Sequence, residues 1–122
     1  MKRKIFIVIG YGSIGKKHCN TLKKFNVDYY VISSQKNIKE KHIKYSEIKN
    51  INPDYVIIAS PTSKHLLDLM TVDRLIKNKV ILIEKPVFNK KTNFIPKNNK
   101  VFVAYNMRFN PIINYLKNLS KK

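Results

Sequence analysis

The chain has 122 residues, which is enough for one domain with a core of its own, and 43% of them are apolar. No stretch approaches the roughly 20 consecutive apolar residues of a membrane span, and only five apolar residues follow the basic N-terminus, so the sequence predicts neither a membrane span nor a signal peptide. The net charge of +18 leaves phosphate-rich partners open, while the single cysteine, Cys19, excludes an internal disulfide and favours a cytoplasmic protein.

The distribution of the positive charge argues against a nucleic-acid partner. Lys and Arg neutralise phosphates in most sequence-independent binding to DNA and RNA. Here only Arg3, Arg74 and Arg108 are arginines, the residue whose bidentate fork favours base and phosphate contacts. The lysines are spread along the whole chain, as expected for solvated surface side chains. We therefore keep nucleic-acid binding only as a third hypothesis.

The first predicted element is a strand, Ile5–Ile9, which leads into a glycine motif and then into a helix. Gly10, Gly12 and Gly15 form a GxGxxG pattern in the segment IFIVIGYGSIGKKH. In dinucleotide-binding folds the first glycine permits a tight turn, the second lets the backbone approach the pyrophosphate, and the third lets helix and strand pack closely. Free N–H groups at the helix start then face the anion. The pattern alone also fits a plain strand-to-helix turn, but its position between a strand and a helix favours a dinucleotide site.

Four more short apolar runs, rich in β-branched and aromatic residues, predict strands that are covered on both faces. These runs are Val27–Ser33, Tyr55–Ala59, Val80–Glu84 and Val101–Tyr105. Helices are predicted after the first and third strands. The apolar face of the first helix consists of Ile14, His18, Leu22 and Phe25, and that of the second consists of Leu66, Leu69, Met70 and Ile76. Thr62 or Ser63 is placed to cap the second of these helices. The alternation predicts an α/β fold, a single-domain, Rossmann-like, doubly wound and mainly parallel sheet.

The remaining segments carry weaker patterns. We expect a short helix and a short additional strand within residues 37–45, and a helical turn that begins at Ser46. Residues 88–100 contain a proline and have no helical period, which predicts a loop. Near the end of the chain, Asn110 and Pro111 suit the cap and the first position of a helix. The apolar stripe of that helix consists of Ile112, Ile113, Leu116 and Leu119.

Two serines stand where dinucleotide-binding folds recognise the adenosine ribose. About 20 residues beyond the glycines, NAD-binding proteins place an acidic side chain on the ribose 2′-hydroxyl. This chain has Ser33 and Ser34 there, followed by Gln35 and Lys36. Because neutral donors and a nearby cation tolerate or prefer a 2′-phosphate, the cofactor prediction is NAD or NADP, with a slight lean to NADP. The alternative is that the two serines merely begin a loop.

Two further strands end in residues that can carry chemistry, because ligands bind at the carboxyl edge of open α/β sheets. The motif Ser60–Thr62 follows the third predicted strand. Lys85 follows the fourth strand and precedes Pro86, and an ammonium group there could bind a substrate hydroxyl or take part in proton transfer. Taken alone, Lys85 also fits a surface lysine, and His65 fits a residue at the start of a helix.

Together, the segments GYGSIGKKH, DYVIIASPTSKH, IEKP and VAYNMRFNP, in this order, resemble the nucleotide-binding half of the Gfo/Idh/MocA oxidoreductase family over residues 4–112. The resemblance implies that the cofactor pyrophosphate is met by Gly10, Gly12, Ser13, Ile14 and Gly15. It implies that the adenosine ribose is met by Ser33 and Ser34, and that the dinucleotide is flanked by Ser60, Pro61, Thr62 and His65. Near the nicotinamide it implies Glu84 and Lys85, with Lys85 as the catalytic residue in contact with cofactor and substrate. The residues implied to close the nicotinamide pocket are Asn106 and Arg108.

The chain departs from this family in two respects. Members usually carry a helix between the EKP motif and the next strand, where residues 88–100 are too short and irregular to supply one. Members also add a second α/β domain with the substrate pocket and an acid/base pair, and its histidine is matched by none of His18, His42 and His65. We therefore expect residues 1–109 to form an NAD(P)-binding domain and residues 110–122 a helix that would lead to an absent substrate domain.

The sequence thus predicts the NAD(P)-binding domain of a Gfo/Idh/MocA-like oxidoreductase, incomplete alone. In the whole enzyme, hydride would pass between the nicotinamide and a hydroxyl-bearing or keto carbon of a sugar or sugar nucleotide. The predicted partners are the dinucleotide, that substrate, and a partner chain or a second copy, with no metal site and no membrane. The alternative is a non-catalytic dinucleotide-binding or partner-docking module, which would use Ile112, Leu116 and Leu119 to dock its partner.

Overall fold

The structure, a computed structural model, describes residues 2–104 and 111–120. Within those ranges the strands are β1 Ile5–Ile9, β2 Asp28–Ile32, β3 Tyr55–Ile58, β4 Val80–Glu84 and β5 Lys100–Ala104. The helices are α1 Ser13–Leu22, α2 Ile48–Ile51, α3 Thr62–Leu75 and α4 Pro111–Ser120, and a 3₁₀ turn, Tyr45–Glu47, precedes α2. None of these helices combines the length and the apolar character needed to cross a bilayer.

The five strands form one sheet in the order β2-β1-β3-β4-β5, and every neighbouring pair is parallel. From β1 the chain moves outward to β2, returns to the other side of β1 at β3, and then continues to β4 and β5. This reversal is the mark of a doubly wound sheet, so the predicted fold class is confirmed. The predicted strands agree with the observed ones to within one residue at each end, except that Tyr105 lies outside the described residues.

Both faces of the sheet are covered, because successive residues of a strand point to opposite faces. On one face, Ile7 and Ile58 belong to a buried cluster that includes Leu69 of α3. On the other face, Val8 belongs to a second cluster with Cys19 of α1. The continuous apolar runs of the sequence therefore reflect strands with helices on both sides.

The buried face of α1 differs from the predicted one. Leu22 is buried as predicted, together with Gly15 and Cys19, but Ile14 is 41% exposed and Phe25, beyond the end of the helix, is 62% exposed. The physical reason is the close approach of α1 to the preceding turn at Gly15, where there is no side chain to keep the two apart. Ile14 lines the cleft described below.

The buried face of α3 contains polar side chains that an apolar pattern cannot reveal. Leu69 and Ile76 are buried as predicted, whereas Met70 is 45% exposed. The buried polar residues on this helix are His65, Asp68 and Asp73. Each makes hydrogen bonds within the protein, which is the condition for burying a polar group without a large loss of stability.

The predicted cap of α3 differs from the observed one, whereas α4 begins at the predicted proline. α3 begins at Thr62 with Pro61 at its N-cap and no side-chain cap hydrogen bond, so the prediction of Thr62 or Ser63 as the cap is wrong. The chain enters this helix from an extended proline, which has no side-chain acceptor to offer. α4 begins at Pro111, as predicted for a proline at the first helical position. Its predicted cap, Asn110, lies outside the described residues.

The connection between β2 and β3 is less regular than predicted. Residues 37–44 form no helix, and a single parallel bridge between Val31 and His42 stands in place of the expected strand. The lysine-rich sequence offers no apolar face that could hold a helix against the sheet. The helical turn predicted at Ser46 is confirmed, within the 3₁₀ turn that leads into α2.

The connection between β4 and β5 is an irregular loop, as predicted for residues 88–100 up to the start of β5. Asp73 of α3 holds this loop, because its carboxylate accepts a hydrogen bond from the N–H of Lys97 at 3.0 Å. Phe88 and Phe94 pack against the core cluster on the α3 side. The loop therefore takes over part of the covering role that helices have elsewhere on the sheet.

The terminal helix α4 is amphipathic, and the apolar side chains described on it are exposed. Ile112 is 69% exposed, Leu116 is 53% exposed and Leu119 is 47% exposed. The side chain of Ile113, the fourth member of the predicted stripe, lies outside the described residues.

Cys19 is fully buried between α1 and the sheet, and burial raises the pKa of its thiol from 9.0 to about 11. The unfolded chain therefore loses the thiol proton before the folded chain does, and the free energy of unfolding falls as the pH rises from about 9 to about 11. We expect the midpoint of urea unfolding to fall more steeply over this range in the wild type than in Cys19→Ala, which has no thiol. Equal slopes in the two proteins would contradict the assignment.

Candidate functional site

An open cleft of about 770 Å³ lies at the carboxyl edge of the sheet, where β1, β2 and β3 end. Parallel strands bring residues that are distant in sequence together at this edge. The cleft lining includes eight of the residues predicted to bind a cofactor: Gly10, Gly12, Ser13, Ile14, Ser33, Ser34, Ser60 and Pro61. The other predicted residues within the described ranges are not part of the lining: Gly15, Thr62, His65, Glu84 and Lys85.

Gly10 makes the turn at the end of β1. Its φ is +102°, in a region that residues with a side chain rarely adopt. A Cβ at Gly10 would lie 2.5 Å from the carbonyl oxygen of Ala59, so the chain segments that follow β1 and β3 touch through their backbones. The N–H of Gly10 also donates to the carbonyl of Ile32 at 2.8 Å. Gly10 therefore fixes the ends of β1, β2 and β3 relative to one another.

Gly12 and Gly15 have opposite surroundings. A Cβ at Gly15 would lie 2.1 Å from the carbonyl oxygen of Gly10, so only a glycine lets α1 pack this closely against the turn. A Cβ at Gly12 would meet nothing within 4 Å. Gly12 is the N-cap of α1, and the N–H of Lys16 donates to its carbonyl at 2.9 Å. As at any helix start, the N–H groups before Lys16 have no acceptor within the helix and can bind an anion.

The charge in the cleft is mainly positive. Among the described residues of its lining, Asp68 is the only carboxylate, and the lysines are Lys36, Lys44 and Lys64. The carboxylate of Asp68 accepts hydrogen bonds from the hydroxyls of Tyr45 and Ser60. Burial, together with the hydrogen bond to Asp68, raises the pKa of Tyr45 above its ordinary value of 10.0. The balance of charge suits an anionic ligand.

His65 connects the segments that follow β3 and β4. Its residue surface is 1% exposed, with Nε2 2.7 Å from the carbonyl oxygen of Ser60 and Nδ1 2.9 Å from that of Val87. Both ring nitrogens thus face main-chain carbonyls, and His65 lies behind the cleft wall, not in it. Its observed contacts position the loop at Ser60.

The carboxylates of the chain all contact other protein groups. Asp28 pairs with Arg3, Asp54 accepts a hydrogen bond from the N–H of Ile5, and Glu47 accepts one from the N–H of Lys44. Asp68 accepts a hydrogen bond from the hydroxyl of Ser60, and Asp73 accepts one from the N–H of Lys97. Glu84 pairs with His18. The seventh, Glu40, follows β2, where an acidic side chain could have served a ribose. It accepts a hydrogen bond from Tyr29 at 2.5 Å and pairs with Lys23 at 2.8 Å, and its side chain is 7% exposed.

The contacts of Glu40 outweigh the effect of its burial. Burial acts to raise the pKa of this carboxyl, but hydrogen bonds from Lys23 and Tyr29 lower it below 4.5. The same contact with Glu40 raises the pKa of Lys23. Glu40 is thus held as a carboxylate in a structural cluster, and it is not part of the cleft lining.

No protein-family model and no curated protein matches the chain, but solved structures match its fold. The apo scyllo-inositol dehydrogenase from Lactobacillus casei is 18% identical with a TM-score of 0.77, over 97% of this chain and 41% of that one. The WlbA (WbpB) dehydrogenase from Thermus thermophilus, solved in complex with NAD and UDP-GlcNAcA, is 17% identical with a TM-score of 0.74, over 98% and 47%. RSP, a Rex-family repressor, is 16% identical with a TM-score of 0.64, over 98% and 61%.

The chain shares its fold with these dehydrogenases. It spans less than half the length of each of the two, so the match concerns one part of a longer protein. The repressor shows that the same fold also occurs in a protein of another class, so the fold alone does not determine the function.

β4 ends in Glu84 and leads to Lys85. The carboxylate of Glu84 lies 2.6 Å from Nε2 of His18, which is partly buried on α1, so the end of β4 is tied to that helix. Lys85 is exposed, and its peptide bond to Pro86 is cis. Two predicted site residues, Asn106 and Arg108, lie outside the described residues.

The cleft lining also contains residues that the sequence analysis did not predict, among them Tyr45, Lys64 and Asp68. Asp68 follows His65 by three positions, so the two share one face of α3. An acidic residue one turn beyond a histidine at the start of a helix could therefore have indicated that Asp68 belongs to the site. Tyr45 lies in the lysine-rich connection, whose path has no periodic pattern from which it could be predicted.

Proposed function

We propose that this chain is the NAD(P)-binding domain of a Gfo/Idh/MocA-type oxidoreductase. The observation that carries the proposal is the open space at Gly12, beside a turn that Gly10 and Gly15 pack to backbone contact. A rigid turn next to a free helix N-terminus is what a diphosphate requires. The order of the four sequence motifs supports the family, and one of the dehydrogenases that share the fold was solved with NAD.

The proposed path of the dinucleotide follows the strand order. β2, β1 and β3 are adjacent, and neighbouring strands lie about 4.8 Å apart. We place the adenosine ribose at Ser33 and Ser34, and the diphosphate at the turn that carries Gly12. The second ribose then reaches Ser60 and Pro61. In this arrangement Ser13, Ile14 and Gly15 offer backbone N–H groups, while Thr62 and His65 support the wall from α3.

The chemistry of the bound group would be hydride transfer at its nicotinamide ring. The residues of the chain would bind the cofactor and orient the substrate. Lys85, exposed at the end of β4, is proposed to orient the substrate oxygen, and the contact between Glu84 and His18 fixes the backbone from which it projects. Asn106 and Arg108 are proposed to close the nicotinamide side.

The substrate proposed is a sugar or a sugar nucleotide, oxidised or reduced at a hydroxyl-bearing or keto carbon. The cleft is open, and the chain spans less than half of the dehydrogenases it matches, so a second domain or a partner chain is needed to complete the pocket. We propose residues 1–109 as the cofactor domain and residues 110–122 as the link to that second part. A reducing cytoplasm is the compartment that suits the free, buried Cys19.

We propose that the adenosine side of the cleft prefers NADP to NAD, although the WlbA (WbpB) dehydrogenase that shares the fold was solved with NAD. Ser33 and Ser34 are neutral and Lys36 lines the cleft beside them, whereas Glu40 is committed elsewhere. We expect Lys36→Ala to weaken NADPH binding about five- to tenfold, because a charge-assisted hydrogen bond to the 2′-phosphate is lost, and to change NADH binding less than twofold. Titrations followed by the fluorescence of the reduced nucleotide measure both. The control is Lys39→Ala, an exposed lysine outside the lining. Equal weakening of NADH and NADPH would remove the preference.

A titration of the protein with NAD, NADH, NADP and NADPH tests the proposal itself. Saturable binding of at least one of these at a ratio of one per chain is the expected result. Failure of all four to bind would refute it. Turnover on a panel of sugar nucleotides, with and without Lys85→Ala, then tests the enzymatic part once the second domain or partner is supplied.

A non-catalytic dinucleotide-binding or partner-docking module is the second candidate, favoured by the exposed apolar residues of α4 and by the repressor that shares the fold. This second candidate would be selected if the completed protein binds the cofactor but turns over no substrate, with or without Lys85→Ala. Steeply salt-dependent DNA binding without cofactor affinity would select a nucleic-acid-binding protein instead.

A further inference from the structure

Ser60 has its hydroxyl proton committed inside the protein. The hydroxyl donates to Oδ2 of Asp68 at 2.5 Å, and the carbonyl of Ser60 lies 2.7 Å from Nε2 of His65. A hydroxyl has a single proton and two lone pairs. Once the proton points at Asp68, only a lone pair is left for the cleft, which Ser60 lines. Ser60 therefore offers an acceptor to a ligand.

Asp68 imposes this arrangement. It is 7% exposed, and its second oxygen accepts a hydrogen bond from the hydroxyl of Tyr45. A carboxylate can only accept hydrogen bonds, so both hydroxyls must direct their protons at it. Bonds to a charged acceptor are about twice as strong as neutral ones, and the orientation is fixed before any ligand arrives.

We propose that Asp68 is a positioning residue that makes Ser60 an acceptor for a ribose hydroxyl of the cofactor. The inference rests on the proposed function. Ser60 follows β3 and Ser33 follows β2, on opposite sides of the turn at the end of β1. A dinucleotide whose diphosphate lies at Gly12 and whose adenosine ribose lies at Ser33 brings its second ribose to Ser60. A hydroxyl donor is accepted there, whereas a fully ionised phosphate oxygen, which offers only lone pairs, is rejected.

Two ligands separate this role from a structural one. NADH contains the second ribose and ADP does not. We expect Ser60→Ala and Asp68→Leu each to weaken NADH binding about five- to tenfold, because one hydrogen bond is lost, and to change ADP binding less than twofold. The double variant should bind NADH within twofold of the weaker single variant, since both changes remove the same interaction. Ser63→Ala, an exposed serine of the same helix outside the lining, is the matched control and should change neither.

The outcomes distinguish this inference from the function on which it rests. If the wild type binds none of NAD, NADH, NADP and NADPH, the proposed function fails and this inference falls with it; if it binds NADPH and not NADH, NADPH replaces NADH in the comparison. If the wild type binds NADH but Asp68→Leu has no effect, weakens ADP equally, or adds to the effect of Ser60→Ala, only the positioning role is refuted. If thermal melting shows that Asp68→Leu is not folded, Ser60→Thr is the deciding variant. It keeps the hydroxyl and should retain NADH affinity within twofold. A loss of affinity equal to that of Ser60→Ala would overturn the proposal.

Discussion

Gly15→Ala should destabilise the protein by about 3 kcal/mol or more, with a fall in melting temperature of about 10 °C or more. The added methyl group would lie 2.1 Å from the carbonyl oxygen of Gly10, an atom of the backbone that cannot rotate away. Either α1 moves off the turn or the turn leaves its position between β2 and β3. Thermal melting followed by circular dichroism measures the change.

The matched control is the same substitution three positions earlier. Gly12→Ala places its methyl group where nothing lies within 4 Å, at a φ of −80° that alanine adopts without strain. We expect its stability to stay within about 1 kcal/mol of the wild type. If both alanines destabilise equally, the close packing at Gly15 is not what holds the turn.

Gly12→Val should weaken NADH binding about 100-fold or more while the protein stays folded. Its side chain would occupy the open space at the N-terminus of α1, where we place the diphosphate. A dinucleotide displaced from that space loses two or more charge-assisted hydrogen bonds to backbone N–H groups, each of which contributes about 1.5 to 3 kcal/mol. Isothermal titration calorimetry against NADH, with melting curves of the same samples, measures affinity and fold together.

The control for this effect is Asn20→Val, which puts the same side chain on an exposed position of the same helix, away from the cleft. NADH affinity should then change less than twofold. Unchanged binding by Gly12→Val in a folded protein would mean that the diphosphate does not lie at this turn.

The sheet could be predicted because its strands are covered on both sides. Each such strand is a short continuous apolar run, so β1 Ile5–Ile9 and β4 Val80–Glu84 match the predicted limits. The helix faces could not be predicted by the same rule. α1 approaches the sheet through Gly15, and α3 buries His65 with its hydrogen bonds satisfied, so in both helices the buried side is not the most apolar one.

The cleft residues that directly follow strands could be predicted from the sequence. Those that lie in the longer connections between elements could not. Gly12, Ser33 and Ser60 follow β1, β2 and β3, so their meeting at one edge follows from a parallel sheet. Tyr45 reaches the cleft from the lysine-rich connection, whose path depends on isolated contacts such as the bridge between β2 and His42. These contacts leave no period in the sequence.

The most direct test of the account is a titration of the ¹⁵N-labelled protein with NADH, followed by amide chemical shifts. A cofactor bound in the cleft should cause saturable shifts of the N–H groups of Ser13, Ile14 and Gly15, with a second set at Ser33 and Ser60 and little change on the exposed side of α3. Saturable shifts confined to other parts of the protein, or none at all with any nicotinamide dinucleotide, would contradict it.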